Sequence, residues 1–494
     1  MKIMLKTSLL LMLAPFICNS LFAQTRTEKD LLGEKEIPSN AYYGVQTARA
    51  LENFQVSGVT TKFYPDYVKA YAMVKLAAAR ANADVGRMKK DKLRAIEKAC
   101  LAVIDGEYHD QFLTDLYQGG AGTSANMNAN EVLANIALEM NGHRKGEYKY
   151  IEPHDDLNMG QSTNDVYPTV IHVALLLHND RVVRQARLLS AAFHKKGDEF
   201  KEIVKMGRTE GQDAVPMTVG QEFHAFGHQL DAAIEALIKS EAYLYEENMG
   251  ATAIGTGITA SPGYAERCAV HLAKITGKPM VLASDLVAAT SSMQAFVMYS
   301  AAIKNLAITL SKISSDLIFL ATGPRTGIFE INLPALQPGS SIMPGKVNPV
   351  MPELMNEVCF KAIGNDMTVA MASQDGLLQL NAYEPVVAVA IFESQGLFYK
   401  TLPLFRKKCI EGITVNKKIL QHYMDRSVGI VTALNPVLGY EKTTELAKEA
   451  LEKDKGILEL VRAKGLLTEQ QIKDLMDPAK MLGPTANPQE KDAD

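Results

Sequence analysis

The chain has little cysteine: five residues in 494, at positions 18, 100, 268, 359 and 409, with no C-x-x-C pair among them. Thiols this scattered form neither a zinc-binding pattern nor a disulfide framework, and they read as isolated buried side chains. An excess of one charge is also missing. Lysine plus arginine number 52 against 56 aspartates and glutamates, a formal net charge of −4, so the basic field of a nucleic-acid binder is absent. Beyond residue 23 no charge-free apolar run reaches the roughly 18 residues that suggest a membrane span. There is no internal repeat and no low-complexity tract, and alternating β-type patterns are few and short. What remains is an ordinary globular composition, 47% hydrophobic and 22% charged, long enough for several domains.

The first 23 residues differ from the rest. Lys2 and Lys6 precede the apolar run SLLLMLAPFIC, and a small residue, Ala23, stands before Gln24. This is the pattern of a cleavable secretory signal, and it leads us to expect a periplasmic or secreted protein, with a cytoplasmic one as the alternative. Cys18 would leave with the signal, and the scarcity of cysteine pairs suggests an intracellular enzyme type that acquired one.

The dominant pattern is helical. From Met280 to Thr322 there is neither glycine nor proline, and Phe296, Tyr299, Ile303, Leu306, Leu310, Ile313, Leu317 and Leu320 recur at spacings of three and four. This predicts one very long helix with a heptad-like seam. Similar segments are expected at about 217–248, 168–204, 352–373 and after Pro385. The class is mainly α, a long-helix bundle whose seams are buried between subunits as well as within one. The expected domains are a more broken N-terminal lobe over 24–163, the bundle over 164–418, a small polar helical lobe over 419–484, and a disordered tail over 485–494.

Four polar loops punctuate these helices: GAGTSANMN at 120–128, GQSTNDVYP at 160–168, GRTEGQDAVP at 207–216 and GSSIMPGKVNP at 339–349. Each alone reads as a turn and helix cap. Together, at the entrances to long helices, they suggest a polar site at bundle ends. In the last, Asn348 and Pro349 predict an N-cap and first-turn pair, so the free N–H groups of a helix end and the charge of Lys346 would attract an anion. Gly339 and Gly345 would let the serine loop between them move.

These four strings together resemble the aspartase/fumarase superfamily, from about Thr27 to Leu482, and GSSIMPGKVNP matches its signature almost letter for letter. The flanks EINLPALQPGSS, LLQLNAYEP and GIVTALNPVLGYE resemble the aspartase branch; class II fumarases typically carry lysine where Glu384 stands. The resemblance implies a three-domain fold, a homotetramer with one pooled helical bundle, and active sites assembled from three subunits. It implies reversible elimination of ammonia from L-aspartate to give fumarate, with no cofactor; no ligand spacing in the chain requires a metal. A class II fumarate hydratase, or an exported scaffold that has kept the fold and lost catalysis, is the alternative.

By the same carry-over Ser340 is the general base, requiring N–H groups of its own loop to lower its pKa. Ser341, Ser162, Thr163 and Thr123 would bind the β-carboxylate and its aci-form, while Lys346, Asn348 and Thr209 would hold the α-carboxylate. Asn164 would face the amine, and Glu353 would support the site from behind. Glu210 departs from the pattern, which has histidine or sometimes glutamine there. We read it as favouring an ammonium-bearing substrate; the plainer reading turns it aside onto a lysine or arginine.

Overall fold

The computed structural model describes residues 24–477; the expected signal peptide and tail lie outside them. The chain opens with a hairpin, β1 (Thr25–Asp30) and β2 (Gly33–Pro38), followed by helices α1 (Val45–Asn53), α2 (Pro65–Asp84), α3 (Lys90–Ile104) and α4 (Thr123–Met140). Then comes α5 (Thr163–Glu199), a second hairpin of β3 (Val204–Thr209) and β4 (Gln212–Thr218), and α6 (Val219–Ser240). After α7 (Tyr264–Thr276) and the short α8 (Leu286–Ser291) run the long α9 (Gln294–Leu320), α10 (Val350–Gln374) and α11 (Glu384–Lys408). Short helices from Lys417 onward close the described chain.

Helices α5, α6, α9, α10 and α11 form the bundle. Its directions follow from side-chain contacts. Tyr299 of α9 donates to Asn179 of α5 at 2.7 Å, and Gln395 of α11 donates to Tyr299 at 2.6 Å and to the Leu175 carbonyl at 3.0 Å. These buried polar groups fix α5, α9 and α11 at one level, because an amide or phenol left unpaired in the core costs about 1–3 kcal/mol. Helix α10 returns antiparallel, with Ser300 bonded to Asp366 and Ser311 to Asn356. The start of α10 therefore lies beside the C-terminal ends of α5 and α9.

Two expectations are corrected. The segment from Met280 to Thr322 is not one helix: a two-residue strand, Val281–Leu282, and α8 precede α9, whose start is Gln294. Asp285 caps α8 by accepting from Val287 and Ala288, so a polar cap breaks the helix where glycine and proline do not. The helix expected from Pro168 begins at Thr163, with Pro168 inside it. Proline has no N–H to offer the Asn164 carbonyl four residues back, and Asn248 Nδ2 fills that place at 3.1 Å.

One apolar core runs from Tyr67 in α2 to Leu420, crossing residue 163 without a break, and a second joins Met206 of β3 to Met424, Leu434, Leu446 and Val461 of the C-terminal helices. Large apolar side chains also face outward. Phe360, Met367 and Met371 of α10 and Ile308 and Phe319 of α9 are exposed in a single chain, at the spacings of seven, four and eleven that keep residues on one helix face.

Candidate active site

Two of the four loops lie around the N-terminal end of α5. Ser162 is its N-cap, accepting from the Asn164 N–H while Asp165 accepts from the Ser162 N–H at 3.0 Å, a reciprocal capping box. The other oxygen of Asp165 takes the N–H groups of Gly250 and Thr252, pinning the loop after Asn248 to the helix start. Burial raises the Asp165 carboxyl to about 6. Thr163 Oγ1 accepts from Asn126 at 3.1 Å, so its proton is free to donate outward. Asn164 gives its amide N–H to the Ala253 carbonyl at 2.7 Å and keeps its side-chain oxygen available. Thr123, the first residue of α4, is exposed, and its hydroxyl donates to the Gly120 carbonyl at 2.9 Å. It would have to rotate to serve a carboxylate.

Behind these groups is a buried polar network that the sequence reading missed. Lys75 is 1% exposed; its amine donates to Asn158 at 3.0 Å and Gln161 at 2.9 Å. Burial pulls its pKa down to about 7, and a neutral amine has two hydrogens for those two acceptors. Asn126 and Asn130 also donate to Asn158, and the carbonyl oxygens of both have no partner. Buried acceptors left open beside Thr163 are unfavourable until a donor arrives. The signals were in the sequence: a lysine in the alanine-rich VKLAAARANAD, and asparagines four apart on a helix of small and apolar residues.

The remaining residues lie at the opposite end of the bundle. Helix α5 has 37 residues, which at about 1.5 Å rise spans about 55 Å. Thr209 ends β3 and Glu210 occupies the turn beyond, both exposed. Glu210 at φ 54° and Gly211 at φ 77° form the two-residue turn of the hairpin. Such turns take asparagine and glycine readily, whereas glutamate in a left-handed conformation costs about 1–2 kcal/mol. Glu210 has no hydrogen-bond or ion-pair partner among the described residues, so it does not turn onto a lysine or arginine of its own chain. The hairpin base is held by Lys205, which bridges Glu222 and Glu330 at 2.8 Å each, and by an Arg208–Glu330 ion pair.

At this same end Ser340 Oγ accepts from the N–H groups of Ile342 at 3.1 Å and Met343 at 2.9 Å. These are donors from its own loop, the arrangement an alkoxide needs. The loop is closed by the Gly339 N–H on the Lys346 carbonyl at 2.7 Å and by Asn348 Nδ2 on the Gly339 carbonyl at 3.0 Å. Asn348 is therefore a loop clasp and not the N-cap: α10 begins at Val350 with Pro349 in the cap position. Ser341 and Lys346 are exposed, and Glu353 lies exposed in the first turn of α10, where its charge suits the helix dipole. Ile342 is 82% exposed on the same loop.

One chain thus gathers Thr123, Ser162, Thr163 and Asn164 at one end, and Thr209, Glu210, Ser340, Ser341, Lys346, Asn348 and Glu353 at the other. It does not bring the two groups together.

Residues 33–364 match the family described as Lyase, and residues 430–483 match the family described as Fumarase C C-terminus. The chain belongs to the lyase family. Lyases similar to it include the aspartate ammonia-lyase of Pseudomonas aeruginosa, 53% identical over 94% of this chain and 98% of its own. That of Escherichia coli K12 is 48% identical over 93% and 96%. Among solved lyase structures, the fumarate lyase:delta crystallin from Brucella melitensis bound to cobalt superposes with a TM-score of 0.90 at 47% identity, covering 93% of this chain and 99% of its own. A class II fumarase from Schistosoma mansoni does so at 0.88 and 33%, covering 94% and 100%.

The buried lysine of this lyase gives a pH test. Lys75 falls from its ordinary 10.5 to about 7 in the folded chain. Between those values the unfolded state holds a proton that the folded state does not, so stability from this residue rises with pH across the window and is lost below it. Unfolding midpoints measured from pH 7 to 10 should climb less steeply in Lys75→Met; an unchanged slope would show that Lys75 is charged in the fold.

Proposed function

We propose that the protein is an aspartate ammonia-lyase, converting L-aspartate reversibly to fumarate and ammonia in sites shared between the chains of a homotetramer. The observation that carries the reading is the pair of loop N–H groups on Ser340 Oγ. The proton to be removed lies next to the β-carboxylate and is far less acidic than any side-chain base can match. A serine acts on it only if its alkoxide is held by fixed dipoles, and only if the aci-carboxylate formed meets donors already in place.

In this reading Ser340 takes the Cβ proton, and the hydroxyls of Ser162, Thr163 and Ser341, with Thr123 after rotation, receive the β-carboxylate. Lys346, Asn348 and Thr209 hold the α-carboxylate, with Glu353 supporting them. The free oxygen of Asn164 and the carboxylate of Glu210 face the ammonium group. The two ends of α5 serve different sites, since 37 helical residues separate them. The outward apolar faces of α9 and α10 are surfaces that other copies would cover, and closure of the serine loop over substrate would exclude water. Relatives at 48–53% identity are aspartate ammonia-lyases, which supports the aspartate reading.

Purified protein should release fumarate, followed by its ultraviolet absorbance, from L-aspartate and not from L-malate. Ser340→Ala should lower that rate about 10³-fold with folding intact. Activity on malate alone would make the enzyme a fumarate hydratase. Ser340→Ala and Thr163→Val proteins, each impaired, should regain activity when co-refolded into mixed oligomers, because some sites then draw both intact ends from different chains. Absence of recovery would argue for a site within one chain. Glu210→Gln should raise KM for aspartate about tenfold through loss of a charge partner; an unchanged KM would remove the amine contact.

A further inference from the structure

Toward the C-terminal end of α5, this helix and the start of α6 pack histidine over glycine in both directions. A Cβ on Gly227 of α6 would meet the His194 ring of α5 at 2.7 Å, and one on Gly197 of α5 would meet the His224 ring of α6 at 2.5 Å. His228, one turn beyond His224, sets its ring 4.8 Å from that of His194. Three of the chain's ten histidines meet here, with Asp231 on α6 and Asp198 and Ser190 on α5 as the polar groups facing them.

A row of close polar contacts joins these rings to two carboxylates. His194 Nε2 lies 2.9 Å from Asp231 Oδ2, and because a carboxylate only accepts, a ring proton or a cation stands between them. His194 Nδ1 lies 3.1 Å from His224 Nδ1, where one ring donates to the other. Asp198 Oδ1 lies 3.2 Å from His224 Nε2 and adds a second negative charge to the row. A metal ion can take the place of the ring proton between His194 and Asp231.

We propose that His194, His228 and Asp231 form a site for a divalent transition-metal ion of the zinc type, tying α5 to α6. One ligand atom from each of the three lies within 4.8 Å of the others. A tetrahedral zinc site with bonds of about 2.0–2.2 Å needs a contraction of about 1 Å, which the exposed His228 can make by rotation. His224 is the group that orients His194 from behind, as ring-nitrogen partners of metal-binding histidines do. Two imidazoles and one carboxylate leave a fourth position for water and favour zinc, cobalt or nickel over magnesium. In the bound form His194 carries its proton on Nδ1, facing His224 Nδ1, and offers a bare Nε2 to the ion. No reading of spacing along the chain finds this site, because its ligands come from two antiparallel helices.

Calorimetric titration of the chelator-treated oligomer with Zn²⁺ tests this. We expect one ion per chain and a higher unfolding temperature that Mg²⁺ does not produce. His228→Gln and Asp231→Asn, both on exposed side chains, should each weaken Zn²⁺ at least tenfold while leaving fumarate production unchanged. Co²⁺ should give visible ligand-field absorption in the parent and not in His194→Gln. Absence of saturable Zn²⁺ binding would mean that a proton alone bridges His194 and Asp231 and would overturn the proposal. So would binding that survives in the His228→Gln/Asp231→Asn double variant.

Discussion

The length and stiffness of α5 govern everything else about the site. Its 37 residues rise without interruption from Thr163 to Glu199, and a helix with its backbone bonds satisfied does not fold back on itself. Because α9 and α11 are locked to it at the Asn179–Tyr299–Gln395 contact, the start of α10 is carried to the far end as well. The serine loop and the threonine loop are therefore held apart by a fixed rod. Sites shared between subunits, as proposed, would be the geometric answer to a chain whose two chemical ends face opposite ways.

The α5 start is then built with neutral dipoles at the surface and ionisable groups kept behind. At the α5 start, hydroxyls and amides face outward while Lys75 and Asp165 sit buried among acceptors and N–H donors that tolerate either protonation state. At the other end, Glu330 collects Lys205 and Arg208 beneath the hairpin. A dipole set in place before the reaction needs no reorganisation as the dianion forms, which is why such a site stabilises charge better than water does.

Much of this was legible because the loops are written in residues with narrow conformational meaning. Glycines and hydroxyl side chains mark helix entrances, and three-and-four spacing marks α9 from Phe296 onward. The family resemblance follows from strings of contiguous residues, which survive reading in one dimension. The failures have physical reasons of their own. Asp285 stops a helix that lacks glycine or proline, and Asn248 rescues a carbonyl that Pro168 abandons, so the breaks were sought in the wrong residues. Lys75, Asn126, Asn130 and Asn158 come from three separate segments and meet only in the fold. Asn348 matches an N-cap by type, yet the Gly339 carbonyl takes its side chain and the helix starts later.

In the proposed enzyme Glu210 bears on substrate choice. Its left-handed backbone is a cost of folding that no contact in its own chain offsets, and strain of this kind persists where surrounding structure or function holds it. A carboxylate on a hairpin tip also repels anions, and a dicarboxylate substrate is an anion. The residue helps only if its neighbour in the occupied site is the ammonium group, which interacts with it across a partly excluded solvent at several times its strength in water. A hydroxyl in the same place gains nothing comparable. The base of the hairpin is rigid and the tip is fixed by turn geometry, so its aim is set before substrate arrives. In the proposed enzyme, discrimination between amine and hydroxyl thus rests on one strained residue whose partner is the substrate itself.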